Sequence, residues 1–134
     1  MCSIIGYFGH IDAAPTLVRG LKRMEYRGYD SVGIVTGSDN KLILKKGVGK
    51  VSEVNTNLGL DQLRGSMGIG HTRWATHGKV TEKNAHPHLS NSGKIAIVHN
   101  GIIENFEELK SDLQNKGYEF QCETDTEVIA NLIQ

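Results

Sequence analysis

The sequence is short of cysteine and proline, and this scarcity excludes several classes of protein. Two cysteines, Cys2 and Cys122, and two prolines occur among the 134 residues. A secreted domain held together by disulfides would carry more cysteines, so the composition predicts a cytoplasmic protein with reduced thiols. The first residues also lack the basic stretch and apolar run of a secretory signal peptide.

An excess of charge of either sign is also missing. The 15 Lys and Arg residues balance 15 Asp and Glu residues, which gives a formal net charge of zero. Neither nucleic acid nor an anionic membrane is therefore an expected partner. No apolar run approaches the roughly 18 residues that a membrane-spanning helix needs. Glycine-rich phosphate-binding motifs are missing as well, and we expect no cofactor.

Hydrophobic periodicity predicts one domain in which strands and helices alternate. Strands are expected at 3–8, 32–36, 41–46, 67–72 and 94–99, with a hairpin between the second and the third. Helices are expected after Asp12, at 51–58, after Asn105 and after Thr124. Asp12 is the predicted N-cap of the first helix, and capping boxes are predicted at residues 105 and 108 and at residues 124 and 127.

Cys2 is the first candidate for chemistry, because it directly follows the initiator Met1. If Met1 is removed, one residue carries a thiol of pKa ~8.5 and an α-amine of pKa ~7.7–8.0. A thiolate is a nucleophile, and an N-terminal amine can serve as the base of a neighbouring nucleophile. Position alone favours the alternative, in which Cys2 is a small apolar residue in a buried strand.

Histidines are concentrated between residues 71 and 99, where five of the six occur. A metal site is one interpretation, but the His-Glu-x-x-His spacing is missing and no carboxylate lies among them. His71 and His99 fall in strand patterns and are expected to be core or supporting residues. We therefore predict no metal. The long segment 73–93, which holds several of these histidines, is predicted to be a functional loop.

Three further positions each allow two interpretations. Asn100-Gly101 is typical of a hairpin turn, but it could also aim two N–H donors at one point and form an oxyanion hole. Arg73 ends a predicted strand, where its guanidinium could bind a carboxylate with help from Thr76 and His77, or simply belong to a polar loop. Asp125 could stabilise the start of the last helix or bind a ligand ammonium.

Taken together, these segments resemble those of class II glutamine amidotransferases, which carry an N-terminal nucleophile, and the resemblance runs from residue 2 to the last residue. Six segments carry it: Met1-Cys2-Ser3-Ile4-Ile5-Gly6, Glu25-Tyr26-Arg27-Gly28-Tyr29-Asp30-Ser31, His71-Thr72-Arg73-Trp74-Ala75-Thr76-His77-Gly78, Asn84-Ala85-His86-Pro87-His88, His99-Asn100-Gly101-Ile102-Ile103-Glu104-Asn105 and Glu123-Thr124-Asp125-Thr126-Glu127. The fold that this resemblance implies is α+β, the N-terminal nucleophile hydrolase αββα sandwich of antiparallel sheets.

The resemblance also implies a reaction, the hydrolysis of L-glutamine. Cys2 would attack the side-chain amide carbon while its own amine manages the proton through a bridging water. Asn100 and Gly101 would hold the oxyanion, and ammonia would leave before water resolves the glutamyl thioester.

Substrate recognition is implied in the same way. Arg73, with Thr76 and His77, would bind the α-carboxylate of glutamine, and Asp125 would bind its α-ammonium. Trp74 would belong to the loop that covers the site and help to gate the passage of ammonia. Arg27 and His86 are expected to support the site from neighbouring segments.

Two segments, Arg27 to Ser31 and Arg73 to Gly78, favour the branch of the family that converts fructose 6-phosphate to glucosamine 6-phosphate. The chain stops at Gln134 inside a helical pattern, so residues 1–134 are expected to be the N-terminal portion of an amidotransferase domain. Fructose 6-phosphate would then bind only to sugar isomerase domains that are absent here. Exposed sheet edges in such an incomplete domain predict self-association.

Two departures bear on activity. Ser3 occupies a position where the family commonly has glycine, and Met1 would block the amine of Cys2 if it persisted. The alternative function is therefore a catalytically inactive fragment that binds glutamine or glutamate.

Overall fold

The computed structural model describes residues 1–75 and 78–134 and contains strands and helices in alternation. The strands are β1 Ser3–Phe8, β2 Ser31–Ser38, β3 Lys41–Val48, β4 Met67–Arg73, β5 His88–Leu89 and β6 Ala96–Ile97. The helices are α1 Ala14–Met24, α2 Val51–Leu58, α3 Phe106–Asn115 and α4 Thr126–Ile133. Within the described residues, no helix combines the length and apolar character needed to cross a membrane.

The larger sheet has four antiparallel strands in the order β1-β4-β2-β3, and β5 pairs with β6 in a second, smaller sheet. In the larger sheet Ser3 lies opposite Thr72, and Ser31 lies opposite Arg73. The start of β1, the end of β4 and the start of β2 therefore meet at one end of the sheet. This is the end at which the candidate site lies.

Helix α1 covers one face of the larger sheet and forms most of the core. Its apolar residues Leu17, Val18 and Leu21 are buried and belong to one cluster with Val32 and Ile34 of β2. Their spacing of three and four residues places them on one side of the helix, as the sequence predicts. The close approach also explains glycine in the middle of α1, since a Cβ atom at position 20 would meet the Cδ1 atom of a β1 isoleucine.

The opposite face of the larger sheet is turned toward the second sheet. Side chains alternate along a strand, so Val35 and Ile69 point away from α1 and line a groove of about 630 Å³ with Ala96 of β6. Helix α4 packs against β5 and β6 on their other side. His71 and Arg73 lie two and four residues after Ile69 in β4, so their side chains point to the same face and they too face the second sheet.

The predicted hairpin is confirmed between β2 and β3. Ser38 pairs with Lys41, which leaves Asp39 and Asn40 as a two-residue turn with φ values of 51° and 60°. Positive φ at both positions matches the right-handed twist of the flanking strands, and Asp and Asn tolerate this conformation.

The predicted N-cap role of Asp12 is wrong, because Ala13 occupies that position. The carboxylate of Asp12 instead accepts hydrogen bonds from the Gly65 backbone N–H at 2.9 Å and from Arg64 at 2.8 Å. The Gly65 N–H, followed by the Arg64 guanidinium, lowers the pKa of Asp12. Asp12 therefore ties the chain before α1 to the segment before β4.

The strand predicted at 94–99 is largely absent, and only Ala96–Ile97 pairs in a ladder. Ladder bonds require a neighbour, and β5 offers only His88–Leu89.

Neither predicted capping box forms: no side chain caps α3 or α4. The Glu127 carboxylate accepts hydrogen bonds from the backbone N–H groups of Gln121 and Cys122 instead. It therefore orders the turn that leads into α4.

Truncating a core residue of α1 tests this account of the fold. Leu17→Ala should lower the free energy of unfolding by about 2–5 kcal/mol, because Leu17 is fully buried and its removal leaves a cavity. Leu132→Ala, at a position that is 52% exposed, is the control and should change it by only about 0.5 kcal/mol. Denaturant titration followed by circular dichroism measures the free energy of unfolding of both variants. Equal losses in the two variants would contradict the assignment of Leu17 to the core.

Candidate active site

The thiol of Cys2 lies at the sheet end where β1 begins and β4 ends. The backbone N–H of Trp74 lies 3.2 Å from Sγ of Cys2, and the carbonyl oxygen of Trp74 lies 3.5 Å from the same sulfur. Both contacts follow from the register, since the chain leaving β4 runs directly beside the residue that precedes β1. Cys2 is half-buried and its thiol is accessible to a small molecule.

A small cleft of about 50 Å³ opens beside this thiol. It brings together most of the predicted site residues with three others. Its lining consists of Cys2, Arg73, Trp74, His86, His99, Asn100, Gly101, Thr124, Asp125 and Thr126. These residues come from the start of the chain, from the end of β4, from the turn before β5, from the segment after β6 and from the start of α4.

Asn100 connects the thiol-bearing strand to β4. Its Nδ2 group donates to the carbonyl oxygen of Cys2 at 3.2 Å, and its Oδ1 atom lies 2.7 Å from Nε2 of His71. The segment after β6 leads into α3, so the hairpin interpretation of Asn100-Gly101 is wrong. A Cβ atom at position 101 would lie 2.8 Å from Nε2 of His99, so a side chain there would require the His99 ring to shift.

The two predicted charged residues lie on the cleft wall and are almost fully buried. Arg73 is 4% exposed, and its guanidinium donates to the carbonyl oxygen of Lys79 at 3.0 Å. Asp125 is 7% exposed, and its carboxylate accepts a 2.6 Å hydrogen bond from the Ile103 backbone N–H. Asp125 is at the N-cap position of α4, but its side chain makes no cap hydrogen bond. The predicted partners Thr76 and His77 lie outside the described residues.

Trp74 is held by a short segment that precedes β2. Its ring packs edge-to-face against Tyr29, with 5.3 Å between ring centroids. The backbone of Asp30 donates to Arg73 at 3.0 Å, and its carboxylate accepts from Ala75 at 2.8 Å. A Cβ atom on Gly28 would lie 3.0–3.2 Å from the backbone of residues 73 and 74, so a side chain there would require that backbone to shift by a few tenths of an ångström. Tyr29 and Asp30 belong to one of the sequence segments that carry the family resemblance, but the sequence does not reveal their contacts with Trp74 and Ala75.

Arg27 contacts the residue that precedes the candidate nucleophile. Its guanidinium Nη2 lies 2.8 Å from the sulfur of Met1. Removal of Met1 would end this contact and leave the guanidinium near the new amino terminus.

Three buried histidines form a column behind the cleft. The rings of His71 and His86 are stacked with centroids 4.2 Å apart, and His86 meets His88 edge-to-face at 4.6 Å. Burial, opposed by the Asn100 hydrogen bond, lowers the pKa of His71 to about 4. Burial and then Lys46 lower the pKa of His88 to about 3, and burial also lowers the pKa of His86. The column is therefore uncharged at neutral pH.

The alternative of a metal site finds no geometric support in the described ranges 1–75 and 78–134. No three or more His, Cys, Asp or Glu side chains there are grouped as metal ligands. The histidines of the column instead pack ring against ring. His88 points its Nε2 atom at Oγ1 of Thr124, 2.8 Å away.

A second polar cluster joins the loop after β4 to the segment before α4. The amide of Asn84 donates to the carbonyl of Lys79 at 2.9 Å, and its oxygen accepts from the backbone of Glu123 at 2.8 Å. Glu123 in turn accepts from the Lys79 backbone at 3.3 Å. This cluster fixes the distance between the Arg73 and Asp125 sides of the cleft. Asn84 and Glu123 belong to two of the sequence segments that carry the family resemblance, but the sequence alone could not show that the two residues are in contact.

The two cysteines are in different environments. Cys122 is 7% exposed, and its sulfur lies 3.0 Å from Oγ1 of Thr124. Burial, followed by hydrogen bonding to Glu127, raises the pKa of the Cys122 thiol to about 12. Since the thiolate is the reactive form, we expect Cys122 to react slowly near neutral pH.

Selective alkylation tests this distinction. Folded protein treated with iodoacetamide at pH 8 should be modified at Cys2 and not at Cys122, whose thiolate is suppressed and shielded from reagent. Peptide mass spectrometry locates the label, and unfolding in guanidinium should make both cysteines reactive. Modification of Cys122 at a rate similar to that of Cys2 in the folded protein would contradict the structure.

Comparisons with known proteins agree with this arrangement. A family model described as a glutamine amidotransferase domain matches residues 59–134. The chain is 57% identical over 134 residues to a glutamine–fructose-6-phosphate aminotransferase (isomerizing) of Pyrococcus horikoshii and 51% identical to one of Thermus thermophilus. Each match covers all of this chain and 22% of the relative. The chain thus spans about a fifth of the length of the curated relatives it matches.

Solved structures show the same likeness. A glutamine phosphoribosylpyrophosphate amidotransferase from B. subtilis, complexed with ADP and GMP, superposes with a TM-score of 0.83 and 37% identity. The match covers 99% of this chain and 29% of that one. A structure titled as the allosteric regulatory enzyme of purine biosynthesis gives a TM-score of 0.84 and 38% identity with the same coverage. This likeness confirms the predicted α+β fold of the N-terminal nucleophile hydrolases.

Proposed function

The chain belongs to the glutamine amidotransferase domain family, and from this premise we propose that it hydrolyses the side-chain amide of L-glutamine with Cys2 as the nucleophile. One observation carries the proposal. The Cys2 thiol, the Asn100 amide and the two opposite charges of Arg73 and Asp125 line one cleft.

The nucleophile requires the loss of Met1. Once Met1 is removed, the α-amine of Cys2 accepts the thiol proton through a bridging water, and the thiolate attacks the amide carbon. The Trp74 N–H, 3.2 Å from the sulfur, supports the thiolate by donating to it. The C–N bond then breaks, protonated nitrogen leaves as ammonia, and water hydrolyses the thioester to glutamate.

The oxyanion of each tetrahedral intermediate needs donors beside the sulfur. The Asn100 side-chain amide is already directed at the Cys2 main chain, and the Gly101 N–H is its partner in the proposal. Removing one such donor typically lowers kcat by ~10²–10³.

Selection of a free amino acid follows from charge. The Arg73 guanidinium binds the α-carboxylate in a forked geometry, and the Asp125 carboxylate binds the α-ammonium. Both groups are largely buried, so their attraction for the substrate is less screened than at a surface. Thr76 and His77 remain predicted partners of the carboxylate. Trp74 covers the cleft, and Arg27 and His86 support it.

In the whole protein we propose that the released ammonia converts fructose 6-phosphate to glucosamine 6-phosphate. The supporting fact is that several relatives are named glutamine–fructose-6-phosphate aminotransferases. Residues 1–134 would form the N-terminal portion of the amidotransferase domain, and sugar isomerase domains outside them would bind the sugar phosphate. We infer a cytoplasmic location, which suits two cysteines that form no disulfide.

A glutaminase assay tests the proposal. Purified chain, shown by intact mass to lack Met1, should release equal amounts of ammonia and glutamate from L-glutamine, and Cys2→Ala should abolish the release. Cys122→Ala is the matched control and should retain activity, because that thiol is buried and does not line the cleft. Activity that survives Cys2→Ala would overturn the mechanism.

The alternative function, an inactive glutamine-binding fragment, predicts a different result. Glutamine or glutamate would then raise the melting temperature of both the parent chain and Cys2→Ala, with no ammonia formed by either. Arg73→Ala should remove that stabilisation.

We also propose self-association through β1, an outer strand of the larger sheet. Its Phe8 is 85% exposed and its Ile4 42% exposed, and the strand carries no charged residue. The other outer strand, β3, is protected by lysines, which discourage pairing.

Light scattering at high concentration should give a mass above the 14.7 kDa of one chain. Phe8→Lys should restore the monomer, whereas Leu132→Lys, on α4, should not. A monomer at every concentration would contradict the proposal.

A further inference from the structure

We propose that His71 is a positioning residue that aligns the Asn100 amide for cleavage of the substrate, an inference that rests on the proposed function. His71 is in β4 and is fully buried. Asn100, by contrast, is exposed and belongs to neither a strand nor a helix. Its side-chain orientation therefore depends on the two hydrogen bonds that its amide makes.

The direction of the Asn100 amide follows from what each partner can donate. The Cys2 carbonyl oxygen can only accept, so the group 3.2 Å from it must be the NH₂ end of the amide. The oxygen of the same amide then faces Nε2 of His71 at 2.7 Å and must receive a proton. His71 therefore carries its hydrogen on Nε2.

The environment of His71 keeps it in this form. Burial makes the neutral ring the stable one at physiological pH. Stacking on His86 at 4.2 Å fixes the plane of the ring. His86 contacts His88, which is 2.8 Å from Thr124, the neighbour of Asp125. The column thus connects the Asn100 side of the cleft, through His71, to the Asp125 side, through Thr124.

The consequence concerns the transition state. If the amide rotated by half a turn, Oδ1 of Asn100 would face the developing oxyanion and repel it. Without a donor at position 71, the orientation of the amide depends on its hydrogen bond to the Cys2 carbonyl oxygen alone, so the flipped orientation becomes more populated. Loss of the donor should therefore lower kcat, while the KM for glutamine changes little because Arg73 and Asp125 are untouched.

A matched pair of variants isolates the hydrogen bond. Gln and Met have similar length and volume, but only Gln offers an N–H that can reach Oδ1 of Asn100. His71→Met should lower kcat by about 10-fold to 10²-fold, below the ~10²–10³ of a lost oxyanion donor, with KM within about twofold. His71→Gln should recover most of the loss.

The same substitution in an Asn100→Ala background separates positioning from general packing. There, His71→Met should have no further effect on kcat, because the group that it positions is gone. An equal loss of kcat in the Gln and Met variants would overturn the inference. A change in KM alone would also overturn it, as would a full further loss of kcat when His71→Met is added to Asn100→Ala. If the parent chain is active and His71→Met retains its kcat, only this inference fails.

A measurement on the parent chain requires no turnover. Nitrogen-15 chemical shifts of the His71 ring should show the Nε2–H tautomer at pH 7, with Nδ1 unprotonated. A ring protonated on Nδ1 would overturn the inference even if the chain were inactive, whereas an inactive chain with the Nε2–H tautomer would contradict only the proposed function.

Discussion

The pairing register of β4 is the constraint on which the rest of the structure depends. β4 is a central strand, bonded to β1 on one side and to β2 on the other. Because Ser3 faces Thr72, the residue before β1 lies beside the chain that leaves β4. A slip of one residue would turn His71 and Arg73 to the face covered by α1. The burial of α1 against that face therefore also fixes the side on which the site forms.

Buried polar groups then determine how the cleft is assembled. Burial is unfavourable for a polar group unless it is hydrogen-bonded, and the two charged residues of the cleft wall meet this requirement through backbone groups of neighbouring segments. Asp125 accepts from Ile103, and Arg73 donates to Lys79. These hydrogen bonds attach neighbouring loops to the rest of the fold. The polar groups that would bind substrate therefore also hold the main chain around the cleft in place.

The sequence alone predicts the regular part of the fold well. The spacing of Leu17, Val18 and Leu21 identifies α1, and the turn at residues 37–40 identifies the hairpin, because both signals are local. The failures arise where a carboxylate finds another partner. Asp12 bonds to residues 64 and 65, which are distant in the sequence, and Glu127 bonds to the turn just before its helix, so these contacts replaced the predicted caps. The strand at 94–99 was shortened by its partner, not by its own sequence.

The candidate site, like the fold, could be predicted from the sequence only in part. The resemblance of six segments identified the residue types, but not which atoms meet. Contacts such as that of Cys2 with Trp74, or of Asp30 with Ala75, join residues 72 and 45 positions apart. No periodicity carries that information. The contacts of Asp30 with Ala75 and of His71 with Asn100 emerge only when the strands are paired.

The two cysteines show why position in this fold matters more than residue type. Both are thiols, and both lie near residues of the cleft. Cys122 is buried beside the Glu127 carboxylate, and both burial and this carboxylate raise the pKa of its thiol. Cys2 instead lies at a strand end, where the backbone N–H of Trp74 donates to its sulfur at 3.2 Å. The thiolate is thus disfavoured at Cys122, and the sheet register places Cys2, not Cys122, beside the chain that leaves β4.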